Sequence, residues 1–152
     1  MADTPSILAD LNTYGPDRCA PVTLAQAQAY TRALATSHYE NFSVVSWLLP
    51  VRLRQPFADV YAFCRWADDL GDETGDPQRS RQLLDWWRTE LDACYADAPR
   101  HPVFVALHPT IRTADIPRRP FDDLIDAFVQ DQYTPRYETW EQVIDYCARS
   151  AN

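Results

Sequence analysis

The sequence predicts an all-α fold. Three observations carry that expectation. Only three glycines are present, and Val, Ile and Thr form no alternating runs of the kind a half-buried strand needs. Ala, Leu, Gln, Arg, Asp and Glu are plentiful, a composition that favours helix. Helix start and stop signals also recur along the whole chain, with no strand pattern competing between them.

Taken in order, residues 1–20 contain Pro5, Gly15 and Pro16 and read as a loose N-terminal arm. Thr23 followed by Gln26 is a capping box, and alanine-rich sequence carries the helix it opens to about Ser37. Residues 38–49 are aromatic and apolar and stop at Pro50. A second helix is expected to start near Pro56, which suits a first turn, and to run to about Glu73 with Gly75 as its stop. Asp76-Pro77 is an N-cap followed by a first-turn proline, opening a helix to about Asp97. Pro99, Pro102 and Pro109 break up the next stretch and leave room for one short helix. Pro120 begins another, ending near Gln132. Thr139 and Gln142 form a second capping box that opens the last helix at Trp140. The chain stops at Asn152 inside that helix with no glycine cap, which reads as a cut through a single domain, 1–152.

Composition narrows the function classes. A chain of 152 residues with 46% hydrophobic and 24% charged residues can bury a core as one soluble globular domain. A net charge of −8 argues against a nucleic-acid partner. All 14 basic residues are Arg, so no lysine is present for Schiff-base chemistry. Cys19, Cys64, Cys94 and Cys147 are scattered, without a CxxC pair or a Cys/His cluster, and read as reduced, mostly buried thiols of a cytoplasmic protein rather than a zinc site. There is no signal-peptide pattern and no spanning segment of ~18 apolar residues, so any contact with the inner membrane would be peripheral. His101 and His108 lie among prolines and read as surface loop residues. Trp86-Trp87 reads as packing, and Arg118-Arg119 as a solvated loop.

The segment VYAFCRWADDLGDE, residues 60–73, carries the chemistry. At about 100° per residue, Tyr61, Arg65, Asp68 and Asp72 fall into one narrow polar stripe, while Val60, Phe63, Ala67 and Leu70 fall on the far side. Asp68 and Asp72 are i,i+4 neighbours whose charges repel, and a bridging divalent cation would remove the penalty. Mg²⁺ takes hard oxygen ligands, often one or two carboxylates plus substrate phosphate. Arg65, one turn earlier, suits a phosphate oxygen. Asp69 and Glu73 repeat the spacing on an adjacent face, and Gly71 leaves room for a ligand to approach. A solvated acidic helix end has the same spacing, and the residues alone leave both readings open.

HYENFSVVSWLLP (38–50) followed by VYAFCRWADDLGDE (60–73) resembles the opening signature of the squalene/phytoene synthase family. FDDLIDAFVQDQ (121–132) and TWEQVIDYC (139–147) resemble the family's next two helices. The resemblance implies the N-terminal half of the class I isoprenoid synthase helical fold. It implies an Mg²⁺-dependent enzyme whose partner is a prenyl diphosphate substrate. It places His38, Tyr39, Glu40, Asn41 and Phe42 along the diphosphate site, with Tyr61 and Arg65 binding diphosphate and Asp68 and Asp72 holding Mg²⁺. Tyr146 matches a cavity tyrosine and Asp131 an acidic position near the same site. Many phytoene and dehydrosqualene synthases carry a small residue, Lys and Ser where this chain has Tyr39, Glu40 and Asn41. That departure is similar to the bacterial hydroxysqualene synthases of hopanoid biosynthesis, which act on presqualene diphosphate. The family's second acidic motif falls beyond position 152, so the chain alone is expected to be inactive. The alternatives are a sister enzyme making presqualene diphosphate, phytoene or dehydrosqualene, and a non-catalytic binding member of the fold.

Overall fold

Seven helices follow one another in the computed structural model, which describes residues 7–37, 49–134 and 136–151. They are α1 (Ile7–Tyr14), α2 (Leu24–Ser37), α3 (Val51–Asp72), α4 (Pro77–Tyr95), α5 (Pro102–Ala114), α6 (Arg119–Asp131) and α7 (Trp140–Ser150). Among the described residues the β pairing is limited to an isolated bridge between Tyr14 and Cys19. The chain is all-α, as expected.

The starts that the sequence marks with side-chain caps are where those caps place them. Thr23 and Gln26 close their box, with the Gln26 amide donating to Thr23 Oγ1 at 3.3 Å and the Thr23 amide to Gln26 Oε1 at 2.9 Å. Asp76 accepts from the Gln78 amide at 2.9 Å. Thr139 and Gln142 form the second box. Gly75 ends the helix region before it at φ +67°, a left-handed angle that glycine adopts without strain.

Pro120 opens α6 as expected, whereas the start assigned to Pro56 and the break assigned to Pro109 need correction. α3 begins at Val51, directly after an extended Pro50, so Pro56 lies inside the helix. Pro56 removes a single amide near an exposed N-terminal end, where the carbonyl it leaves unpaired can reach water. α5 is 13 residues long and runs through Pro109. Its Val103, Phe104, Ala106, Leu107, Thr110 and Ile111 are all buried, and that burial outweighs the lost hydrogen bond. Residues 7–14, expected in a loose arm, form α1. Ile7 is fully buried, and Tyr30 donates to Asp10 at 2.6 Å, tying α1 to α2.

α3 is the central helix and packs against α1, α2, α4, α5 and α6, while α7 lies on α6. Its inner face buries Phe63, Trp66, Ala67 and Leu70. Trp66 stacks on Trp87 of α4 with centroids 5.2 Å apart and planes 8° apart, and Phe63 meets Phe121 of α6 edge-on at 4.8 Å. Trp86-Trp87 is packing, as the sequence suggests.

His101 is not a surface residue. It is fully buried, and its Nδ1 accepts from the Val103 amide at 3.2 Å, capping α5. Its ring stands edge-on to Trp66, Trp86 and Trp87. Burial pushes its pKa down to about 3, so it is neutral. His108 is paired too, 2.7 Å from Asp97. Arg118 is half-buried and bridges Asp92 of α4 at 2.6 Å and Asp122 at 2.8 Å, so only Arg119 behaves as a solvated arginine. All four cysteines are free thiols, with Cys94 buried, Cys19 and Cys64 half-buried and Cys147 exposed.

A second buried polar point sits on α3. Asp59 is fully buried and accepts from Thr31 of α2 at 2.7 Å, from Gln55 at 2.7 Å and from Thr110 of α5 at 3.0 Å. One carboxylate thus joins three helices. Burial raises its pKa, and its three donors oppose the shift.

Candidate active site

The polar stripe on α3 follows from helical spacing opposite a buried apolar face. Tyr61, Arg65 and Asp68 emerge on one side and line a cleft of about 540 Å³. Its other wall is apolar, made by Phe121, Leu124 and Phe128 of α6, and Arg149 of α7 also lines it. Val60, expected on the far side of the helix, is half-buried and lines the same cleft. One concavity therefore presents a cation, a carboxylate and a phenol against a hydrocarbon surface.

Arg65 is held by its own helix. One terminal nitrogen is 2.6 Å from Asp69 and 3.7 Å from Glu73, and the other is 3.9 Å from Asp68. Burial raises the Asp69 carboxyl to about 6 against the opposing pull of Arg65. Asp68 is also raised, first by burial and then by the charge of Asp72, with Arg65 opposing. Burial raises the Tyr61 hydroxyl, and Arg65 again opposes.

Asp72 opens onto a neighbouring hollow of about 300 Å³ shared with Asp131. Here α3 ends, and the Gly71 carbonyl accepts from Ser80 Oγ at 2.9 Å and Gln132 Nε2 at 3.2 Å. Those two donors, from α4 and the end of α6, fix the turn that carries Asp72. A Cβ on Gly71 would stand 3.6 Å from Phe128 and Gln132, so α6, rather than a ligand, occupies the space beside it. Tyr146 of α7 donates to Asp131 at 2.6 Å, and Tyr137 reaches the other carboxylate oxygen at 3.4 Å. The bond to Asp131, with burial, raises the Tyr146 hydroxyl pKa well above its usual value, and the Asp72 charge adds to the shift.

The structure thus gathers Tyr61, Arg65 and Asp68 on one cleft and Asp72, Asp131 and Tyr146 around the next. His38, Tyr39, Glu40, Asn41 and Phe42 lie outside the described residues. Three participants lie beyond the stripe and the family resemblance, although the sequence already shows Asp69 repeating the carboxylate spacing. Asp69 stands at i+4 from Arg65, a readable signal. Arg149 stands at i+3 from Tyr146 and is held by Asp145 and Gln130. Gln132 gave no signal, because its partner lies 61 positions away.

Asp68 and Asp72 offer hard oxygen donors one turn apart, and the charge of one raises the pKa of the other, which is the repulsion a dication relieves. Among the described residues no group of three or more His, Cys, Asp or Glu side chains is arranged to hold a metal. An ion here would keep two protein carboxylates and fill its shell with water or phosphate oxygens, a donor set that fits Mg²⁺. No helix among the described residues is long and apolar enough to cross a membrane.

Comparison with known proteins gives concordant results. The squalene/phytoene synthase family profile matches residues 35–152. A hydroxysqualene synthase of Rhodopseudomonas palustris is 36% identical over 121 residues, 79% of this chain and 40% of that protein. A 15-cis-phytoene synthase of Synechocystis sp. is 28% identical over 147 residues, 97% of this chain and 44% of that protein. The crystal structure of squalene synthase HpnC from Alicyclobacillus acidocaldarius aligns with a TM-score of 0.77 at 46% identity, covering 86% of this chain and 49% of that one. This chain therefore spans less than half the length of each.

Proposed function

The chain belongs to the squalene/phytoene synthase family, and from that premise we propose that it forms the diphosphate-binding half of an Mg²⁺-dependent synthase converting presqualene diphosphate to hydroxysqualene. The observation that carries this reading is the single cleft in which Arg65, Tyr61 and Asp68 face Phe121, Leu124 and Phe128. A charged head and a long hydrocarbon tail are what that pair of walls suits. The hydroxysqualene synthase relative and the HpnC structure, with Glu40 where sister enzymes carry lysine, support the branch.

In this proposal Arg65 takes the leaving diphosphate by a charge-assisted hydrogen bond, and Tyr61 donates its hydroxyl proton to a phosphate oxygen, its raised pKa keeping it a donor. Asp68 and Asp72 would hold Mg²⁺, which would supply Lewis-acid stabilisation of the departing phosphate oxygens. Phe121, Leu124 and Phe128 exclude bulk water from the carbon skeleton. Asp131 orients the Tyr146 hydroxyl. Atoms balance when the C–O bond to diphosphate breaks with its electron pair, one water adds to the rearranged carbon, and that water loses a proton. A long hydrocarbon substrate favours contact with the inner membrane, and with no helix among the described residues long and apolar enough to cross it, that contact would be peripheral.

The test is incubation of the full-length protein with presqualene, farnesyl or geranylgeranyl diphosphate and Mg²⁺, followed by mass analysis. An alcohol from presqualene diphosphate is expected. The phytoene synthase relative favours a second reading, a prenyltransferase, and phytoene or dehydrosqualene as the main product would establish it instead.

A further inference from the structure

Four carboxylates, Asp68, Asp69, Asp72 and Glu73, crowd the end of α3, and Arg65 pairs unequally with three of them, Asp68, Asp69 and Glu73. The nearest is Asp69 at 2.6 Å, whose side chain is 3% exposed. Asp68 at 3.9 Å and Glu73 at 3.7 Å are 45% and 39% exposed. Attraction between charges grows as water is excluded, so the buried carboxylate holds the guanidinium more strongly than the exposed ones. One terminal nitrogen of Arg65 is thereby committed to Asp69, and the other is left on the Asp68 side of the fork, where both residues line the cleft.

We propose that Asp69 is a positioning residue: it anchors one arm of Arg65 so that the other addresses a diphosphate group in the cleft, and it keeps Arg65 from closing on Asp68. Asp69 does not touch the substrate and does not bind the metal. It acts through Arg65, and it stops the helix's own cation from neutralising a carboxylate needed for a dication. A buried ion pair is an expensive way to stabilise a helix and a good way to fix a side chain's direction. The inference rests on the diphosphate reading of the cleft.

The experiment measures binding of inorganic diphosphate with Mg²⁺ by calorimetry, alongside KM, kcat and Tm, on the full-length protein. Asp69→Asn keeps the shape and removes the charge, while Asp69→Glu keeps the charge and displaces it. Asp69→Asn should weaken diphosphate binding and raise KM by about tenfold to a hundredfold, the range of a lost charge-assisted hydrogen bond, with kcat changing less. Asp69→Glu should fall between Asp69→Asn and wild type. In an Arg65→Ala background Asp69→Asn should weaken binding no further. If Asp69→Asn fails to fold, Asp69→Glu carries the test with the same readouts. Wild-type diphosphate affinity in the variants, with only Tm lowered, would show a purely structural role and overturn the proposal. Equal weakening by Asp69→Asn with and without Arg65 would also overturn it. A wild-type protein that binds no diphosphate would remove the diphosphate reading of the cleft and this inference together.

Discussion

Asp68 sits where its charge is unwelcome to the fold and useful to a cation. Its pKa is raised in the folded state, so ionising it costs native stability, and that cost appears as pH rises through the carboxylate range. Two opposite effects should follow from Asp68→Asn. Thermal stability at pH 7 should hold or rise, and Mg²⁺-dependent turnover of the full-length enzyme should fall about a hundredfold or more, read as diphosphate release. Loss of stability with turnover intact would remove Asp68 from the metal role. His101 gives the reverse sign. Its folded pKa near 3 lies below the ordinary value of 6.5, so the unfolded chain takes up a proton that the native state refuses. Its contribution to stability is complete above pH 6.5 and falls as pH drops, by up to about 1.4 kcal/mol per unit. His101→Asn, which keeps a cap acceptor, should lower stability at pH 7 and flatten the slope between pH 6.5 and 5. Denaturant titrations of both proteins across that range check it.

At the level of the helices, caps are legible, and proline is a true start signal at Pro77 and Pro120 but a false one at Pro56 and Pro109. Thr23, Asp76 and Thr139 announce their helices through bonds to residues two or three positions away, which the sequence displays directly. Pro56 is tolerated near the exposed start of α3, while Pro109 does not break α5 because what keeps that helix intact is tertiary, its buried side packing against α2 and α3. His101 was misread for the same reason, since its neighbours Trp66, Trp86 and Trp87 are distant in sequence. Asp59 could not be found at all, with Thr31 and Thr110 lying 28 and 51 positions away. Its removal should be costly. Asp59→Ala takes the acceptor from the Thr110 hydroxyl and leaves Thr31 and Gln55 with their longer bonds to the Gln28 carbonyl and to each other, and should cost about 2 kcal/mol in urea unfolding. Asp59→Asn, which keeps one acceptor and removes a desolvated charge, should cost clearly less. Equal losses would mean that the charge itself joins the three helices.

Over the whole molecule, the half of the site borne by one helix was readable and the half made by assembly was not. Tyr61, Arg65, Asp68 and Asp72 lie in one 12-residue window of α3, where helical angle alone predicts a shared face. The apolar wall from α6 and the anchoring of Gly71 by Ser80 and Gln132 needed the folded chain. That anchoring spans three elements, so Gln132→Leu should lower Mg²⁺ affinity in the full-length protein by about tenfold, the low end of the range for supporting bonds around a metal ligand, with little change in Tm. Isothermal titration checks it, and unchanged affinity would mean that the turn holds its shape unaided. The tryptophan packing has an optical consequence. Trp66 and Trp87 are stacked face to face with Trp86 at 5.6 Å from Trp87, close enough for excitation to pass among them and be lost, whereas Trp140 on α7 is 78% exposed. Native emission from the described tryptophans should therefore be dim from the core and red-shifted from Trp140. A soluble quencher should darken the red component first, and anything that comes to cover α7 should turn that component blue while the core signal stays still.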